Sequence, residues 1–585
     1  MLPVDSLLAQ TTWLTPFWLT SLGIACGLVL IALALGKIWL FAKLPFFNTI
    51  AENPPIRWGF AIVVAVLYSG IFLWFYSIRY GDGAYIDDNS LLALAFVFPL
   101  SLFFGWASSG LFSKRRFDET FRLIREGFLL WLGIIASVMT VVALLGFLFA
   151  MDIGVGSFKL ADDPSGLLQS ITRLPAAGTY ETTFTVPPSG EANSGDEFPV
   201  DFNGEEIFAV EVRSDQRIEM APQPIVTALS LAQMYSTDAS EEWTRFVRRP
   251  DGNGRIPNEQ ISKVYINNLG GSDATVEVRW EVEPIYNEVW IVPWTAFCTF
   301  AVYLMYLAFA SSFPKVGAIA LSTFKTEMSQ PLYIIVLLVG LVFLLGSIWI
   351  PYNTFGEDIK MYKDSGLTLI RVLAIFVAIW AAGKSVAEEI EGRTALTVLS
   401  KPVGRRQFIF GKYVGICAAI LIMFIILGLW FEMWTGYKPV YDARESSRGD
   451  ITWEECFLEA TRMTPALFLT FLEVTIFVAI SLAISTRFGI LVNFLLCFAI
   501  YVLGHLTPLI VNSSEAVQAF EPVVLFGQVI AIIFPVLDHF DVQAAINSNS
   551  DVPMTYLGWS VIYTMLYGGM AMLLALVFFE DRDLA

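Results

Sequence analysis

Long apolar runs separated by short polar loops repeat along most of the chain. Eleven of them reach the roughly 20 residues needed to cross a hydrocarbon core of about 30 Å. They are 17–36, 58–78, 90–112, 128–150, 289–312, 331–351, 366–383, 408–431, 466–486, 488–510 and 556–579. The pattern predicts an all-α polytopic membrane protein of about 11 transmembrane helices with one inserted β-rich domain. A further run, 521–537, is apolar but carries Glu521 and Pro535. It reads as a re-entrant or interfacial hairpin rather than a twelfth crossing.

Between the fourth and fifth spans the period changes from helical to two. Val276, Val278, Trp280 and Val282 alternate with Thr275, Glu277, Arg279 and Glu281, the mark of a half-buried strand. Phe184/Val186 and Phe208/Val210/Val212 repeat the pattern. The segment 151–287 is therefore expected to be a small sandwich-like β domain. Two helices are expected to interrupt it, at 225–235 and near 241–248. A hairpin is expected across Asn267-Asn268-Leu269-Gly270-Gly271-Ser272, whose residue types tolerate positive φ. The predicted layout is 1–150 as a four-span membrane region, 151–287 as the β domain, 288–312 as a fifth span and 313–585 as a second membrane domain of six spans.

Composition supports the membrane reading, because 56% hydrophobic and only 15% charged residues over 585 positions lie outside the range of soluble domains. Charge placement orients it. Lys37, Lys43 and Arg57 share one loop, and Lys114, Arg115, Arg116, Arg122 and Arg125 another. Both fall on the cytoplasmic side if the N-terminus is outside and the C-terminus inside. The first apolar run is long and follows Asp5 rather than basic residues, so it reads as a signal anchor and not a cleaved leader. The β domain is then extracytoplasmic. It holds about 22 acidic and about 10 basic residues, most of the chain's net −18, which disfavours its lying on an anionic bilayer.

Catalytic chemistry is poorly supplied. The five cysteines show no C-x-x-C spacing and the two histidines, His505 and His539, sit in no metalloprotease or triad pattern. No metal site is expected, and no cofactor in this chain. Gly383-Lys384-Ser385 matches the end of a phosphate-binding loop, but Ala378 stands where the earlier glycine is required, inside an apolar span. The chain is expected not to be an enzyme.

The charged segment 384–412, between two spans, is the strongest signal. The helix before it has no breaker and continues past the membrane surface; Gly392 offers a stop, and Lys401-Pro402 ends a second short helix. Arg405, Arg406 and Lys412 follow. The pattern Glu388-Glu389-Ile390-Glu391-Gly392-Arg393-Thr394, Leu399-Ser400-Lys401-Pro402-Val403, Arg405-Arg406, Gly411-Lys412 resembles the signature of type-2 ABC transporter permeases, most of all the branch of multicopper-enzyme maturation permeases. The resemblance covers about 313–585. An amphipathic stretch, Val316, Ile319, Ala320, Phe324 and Met328 before Pro331, matches the family's elbow helix.

The resemblance implies a permease subunit of an ATP-driven transporter, with an exporter preferred to an importer, in a prokaryotic cytoplasmic membrane. Glu388, Glu389, Glu391, Gly392, Arg393, Thr394, Lys401, Pro402, Arg405, Arg406 and Lys412 would couple it to a separate ABC ATPase holding ATP-Mg. A permease dimer in the lipid bilayer is implied, with no nucleic-acid partner. Two alternatives stand: a force-transmitting permease without cargo passage, and a membrane-anchored β-domain receptor or scaffold. Finally, Arg371 and Glu473 are charges inside spans, where charge is costly. They are expected either to form an ion pair locking two helices near the extracellular gate, or to be solvated separately with Arg371 snorkelling to the headgroups.

Overall fold

The computed structural model describes residues 12–80, 124–150, 164–174, 177–188, 195–224, 235–248, 259–350, 357–388, 404–446, 451–516, 534–548 and 550–580, with isolated positions around 97–109 and at 256. The chain divides into two compact units. One is drawn from 1–67, 98–160 and 292–585, the other from 68–97 and 161–291.

Four N-terminal helices are described: α1 (Thr15–Ala42), α2 (Pro45–Glu52), α3 (Pro54–Tyr80) and α4 (Phe128–Ala150). The first three open on a proline in the first turn, where its fixed φ suits a helix start and its missing N–H is not needed. The chain bends by 105° between α2 and the start of α3. The Trp18 indole donates to the Ala143 carbonyl at 3.0 Å, tying α1 to α4.

From residue 161 on, the second unit holds α5 (Pro164–Arg173), β1 (Gly178–Val186), β2 (Asp196–Asn203), β3 (Ile207–Ser214), β4 (Ile218–Ala221), β5 (Tyr235–Thr237), β6 (Ser240–Val247), β7 (Gln260–Asn268) and β8 (Ala274–Val282). They form two four-stranded antiparallel sheets, in the orders β1-β8-β3-β6 and β2-β7-β4-β5. Val210, Val212, Val276, Val278 and Trp280 of one sheet and Ile218, Met220, Val264 and Ile266 of the other are buried in one core. The alternate positions of the first sheet carry a charge lattice. Arg213 pairs with Glu277, Arg245 with Glu281 at 2.7 Å and Arg279 with Glu181, while Arg213 and Arg279 both lie over the Trp243 ring.

Two expectations fail in this domain. The stretch near 241–248 is strand β6 rather than a helix, because pairing with β3 (Val210 opposite Phe246, Val212 opposite Thr244) outweighs its helical charge pattern. Of 225–235, only Tyr235 is described, and it begins β5. The expected hairpin is instead a crossing between sheets, since β7 pairs with β2 and β4 and β8 with β1 and β3. The turn chemistry serves that crossing. The Asn268 amide donates to the Val186 and Ser272 carbonyls at 3.0 and 2.8 Å, and its oxygen accepts from the Gly270 N–H at 2.8 Å.

The C-terminal half supplies α6 (Ile291–Ser312), α7 (Pro314–Met328), α8 (Pro331–Gly346), α9 (Asp358–Ala382), α10 (Arg405–Ser446), α11 (Trp453–Thr461), α12 (Met463–Ser485), α13 (Ile490–Ala516), α14 (Gln543–Asn547) and α15 (Met554–Glu580). Among the described residues eight helices are long and apolar enough to span a bilayer, or nine with the bent pair α2–α3. Of the eleven expected spans, 90–112 lies largely outside the described residues, and so does most of the expected hairpin 521–537. In 488–510 the apolar helix counts only from Ile490 to Leu506.

α12 is the enclosed helix, with nearly every residue from Leu469 to Ser485 buried. α10 is 42 residues long, about 63 Å at 1.5 Å per residue, so it runs well beyond the expected 408–431. α9 and α12 run parallel and α10 opposes them. The bundle thus has one end carrying the termini of α9, α12 and α15 with the start of α10, here called the signature end. The opposite end carries the starts of α9 and α12.

Candidate functional site

At the signature end, α7 lies along the first turns of α10. Val316, Ile319, Ala320, Thr323 and Phe324 are its buried face, as the amphipathic pattern requires. Gly411 and Gly415, one turn apart on α10, allow the approach. A Cβ on Gly415 would fall 2.6 Å from the Ala320 carbonyl oxygen, and one on Gly411 2.7 Å from the Ile319 Cβ. Small residues at i and i+4 that admit a neighbouring backbone are the usual means of tight helix contact where lipid removes the hydrophobic driving force.

The basic residues that open α10 meet the end of α15. Arg405 Nη1 donates to the Glu580 and Phe579 carbonyls at 2.7 and 3.4 Å, satisfying acceptors left over at a helix C-terminus. Phe408 stacks on Phe579 with centroids 5.7 Å apart. Arg406 reaches Glu580 at only 3.9 Å and both are exposed, so this contact adds little. Lys412 is buried, its ammonium 5.5 Å above the Phe408 ring. Glu388 is the last residue of a π-helical turn, Gly383–Glu388, that continues α9. Glu389, Glu391, Gly392, Arg393, Thr394, Lys401 and Pro402 lie outside the described residues.

The opposite end holds a layer of buried charge. Arg371 and Glu473 face each other from α9 and α12, Nε to Oε2 3.3 Å. The Arg371 guanidinium also lies 3.6 Å from Asp541 Oδ2, and His505 Nε2 3.8 Å from Glu473 Oε1. The distances are those of ion pairs, but neither Glu473 oxygen nor Arg371 Nε has an aligned hydrogen bond. Glu473 is wholly buried. Such a cluster draws its energy from charge attraction in a weakly polarisable setting rather than from directed bonds.

Further pairs surround it. Lys363 contacts Glu459, Lys438 lies 2.8 Å from Asp442, and the Asn547 amide donates to both Asp364 oxygens at 3.0 Å. Sequence reasoning singled out Arg371 and Glu473 but passed over His505, Asp541, Lys363 and Lys438. The Lys438–Asp442 pair had a readable signal, its i,i+4 spacing, hidden by ending the span at 431.

Within the described residues of 298–584 these two ends hold the charged side chains, one built around a basic helix start and one around paired charges. No cluster of three or more His, Cys, Asp or Glu with metal-holding geometry occurs among the described residues. A comparison with curated proteins returns no match. Residues 298–584 match the family model described as ABC-2 family transporter protein, a span that takes in both ends of the bundle. The protein is accordingly a multi-pass membrane protein in which residues 298–584 match an ABC-2 transporter membrane domain, and this match supports a permease subunit of an ABC transporter.

Proposed function

We propose that the chain is the permease subunit of an ATP-driven exporter in a prokaryotic cytoplasmic membrane, docked through 384–412 onto a separate ABC ATPase that holds ATP-Mg. In this reading the chain itself catalyses nothing. The signature end faces the cytoplasm, the β domain lies outside, and two permeases face two ATPases. The observation that carries the reading is the build of the signature end. A helical turn carries α9 on to Glu388, and α10 begins at Arg405 already fastened to α15 and α7. A displacement applied to the segment between them would be delivered to three spans.

At the other end, Arg371 and Glu473 would act as a lock near the extracellular gate. The likeness to multicopper-maturation permeases rests on the signature residues. A soft-metal role for the β domain is disfavoured, since 151–287 contains no His or Cys.

The test is affinity purification of the full-length chain from its native membrane. A nucleotide-binding subunit should come with it and be lost when Glu388, Glu389 and Arg393 are replaced together by alanine. Recovery of intact chain without such a subunit, or retention by the triple variant, would overturn the reading.

A further inference from the structure

The two sheets of the β domain have four edge strands, β1 and β6 in one and β2 and β5 in the other. Unpaired N–H and C=O groups along a sheet edge are a template for another strand, and folded proteins ordinarily blunt them with short strands, bulges, proline or charge. Three of these edges are blunted. β5 has three residues. β2 carries Pro199, and its register with β7 shifts between Pro199 and Phe202. β6 holds Glu241, Glu242 and Arg245 among its eight residues, and the register between β3 and β6 shifts between Val212 and Ser214.

β1 is not. It pairs with β8 without a break, from Gly178 opposite Val282 to Val186 opposite Ala274. Its sequence, GTYETTFTV, has no proline or lysine, and residues 178–181, 183 and 185 are exposed. The one charge, Glu181, is held by Arg279 of β8. Among the described residues β8 is the only strand paired with β1. Tyr180, 41% exposed, lies 5.8 Å from Phe202, and Phe184 lies 4.8 Å from Phe198, so an aromatic rung runs beside the open edge. The strand also reads nearly the same in both directions about Thr182. Thr179 mirrors Thr185, Tyr180 mirrors Phe184, and Glu181 mirrors Thr183.

We propose that β1 is an interface between two copies of this chain, paired antiparallel about a two-fold axis at Thr182, so that their first sheets join into one continuous sheet. The side chains select this occupant. With the axis at Thr182, that residue faces its own copy, Thr179 faces Thr185, and Tyr180 faces Phe184 twice; threonine and aromatic pairs are among the favourable cross-strand ones. Glu181 faces Thr183 rather than another carboxylate, so no like charges meet. The main-chain bonds come from alternate residues of β1, whose N–H and C=O point away from β8. The acid excess of the domain opposes the approach of two copies at longer range, so salt strengthens the contact. The inference goes beyond the coupling role and needs no ATPase.

Cysteine cross-linking of the full-length chain in its native membrane tests it, with the five native cysteines setting the background. Thr182→Cys should form a disulfide between two chains under mild oxidation, since directly opposed Cβ atoms lie about 4.5–5.5 Å apart. Thr179→Cys and Thr185→Cys should each fail alone, about 20 Å from their own copies, and cross-link when the two variants are co-expressed. In the Thr182→Cys chain, Thr183→Glu sets a carboxylate opposite Glu181 of the other copy and should cut the yield at least about threefold. Thr183→Lys should keep or raise it, as should added salt. Thr179, Thr183 and Thr185 are exposed, and exchange protection of β3 confirms the fold of each variant. No chain-to-chain cross-link above background, a cross-link to a protein of another mass, or equal yields from each position alone would overturn the interface. An ATPase recovered while these cross-links fail would leave the coupling role standing, and cross-links without an ATPase would do the reverse.

Discussion

Removing one charge of the Arg371–Glu473 pair should damage the protein far more than removing both. At 3.3 Å and an effective dielectric of about 20, the attraction is about 5 kcal/mol, while withdrawing each ion from water costs several kcal/mol. The two terms nearly cancel, so the intact pair contributes little net stability. A lone buried charge has no such offset, and its cost is about 3–5 kcal/mol. The neighbours make the two single variants unequal. Without Arg371, Glu473 is left beside Asp541 with His505 3.8 Å away; without Glu473, Arg371 keeps Asp541 at 3.6 Å. Arg371→Met should therefore be the worse lesion, Glu473→Gln the milder, and the double variant closer to native than either. Reversible unfolding of the full-length chain in mixed micelles gives the cycle, with an expected coupling energy at least as large as the worse single loss, about 3–5 kcal/mol. Single variants within about 0.5 kcal/mol of native, or losses that simply add, would refute the argument.

Gly415→Leu should force α7 off α10, because a Cβ already meets the Ala320 carbonyl oxygen at 2.6 Å. The expected loss is about 1–3 kcal/mol or more, together with weaker disulfide cross-linking between cysteines placed on α7 and α10. In the β domain, Trp280→Ala removes the ring stacked on Phe202 at 5.0 Å in the centre of the core. It should cost about 3–5 kcal/mol, read as lost exchange protection of β3 and β8 in the full chain. Partial burial, and then Glu281 nearby, raise the Glu283 carboxyl above its usual range against the opposing pull of Arg245. A carboxyl raised on folding adds stability that is complete below its unfolded value of about 4.3 and fades as pH rises through its folded value. Protection of β8 should thus fall between acid and neutral pH in the native chain, and Glu283→Gln should flatten that slope; an unchanged slope would count against the assignment.

How far the sequence could be read depended on whether a feature is set by its own residues or by its neighbours. Alternation in β8 was readable because Val276, Val278, Trp280 and Val282 all face one core. Ser240–Val247 was not, since its few apolar positions resemble a charged helix until Ala209, Val210 and Val212 supply a partner strand. The turn after Asn268 was recognisable from its residue types, yet which strands it joined depended on Val186, some eighty residues away. In the membrane domain, Arg371 and Glu473 stood out against apolar runs, while Asp541 came from a loop and His505 needed the rotation of α13 to be known.

The long end of α10 was lost for a related reason. Glu432, Lys438, Pro439 and Asp442 read as a loop one by one, but Lys438 and Asp442 pair and Glu432 accepts from Thr464 at 2.8 Å, so a helix can carry them.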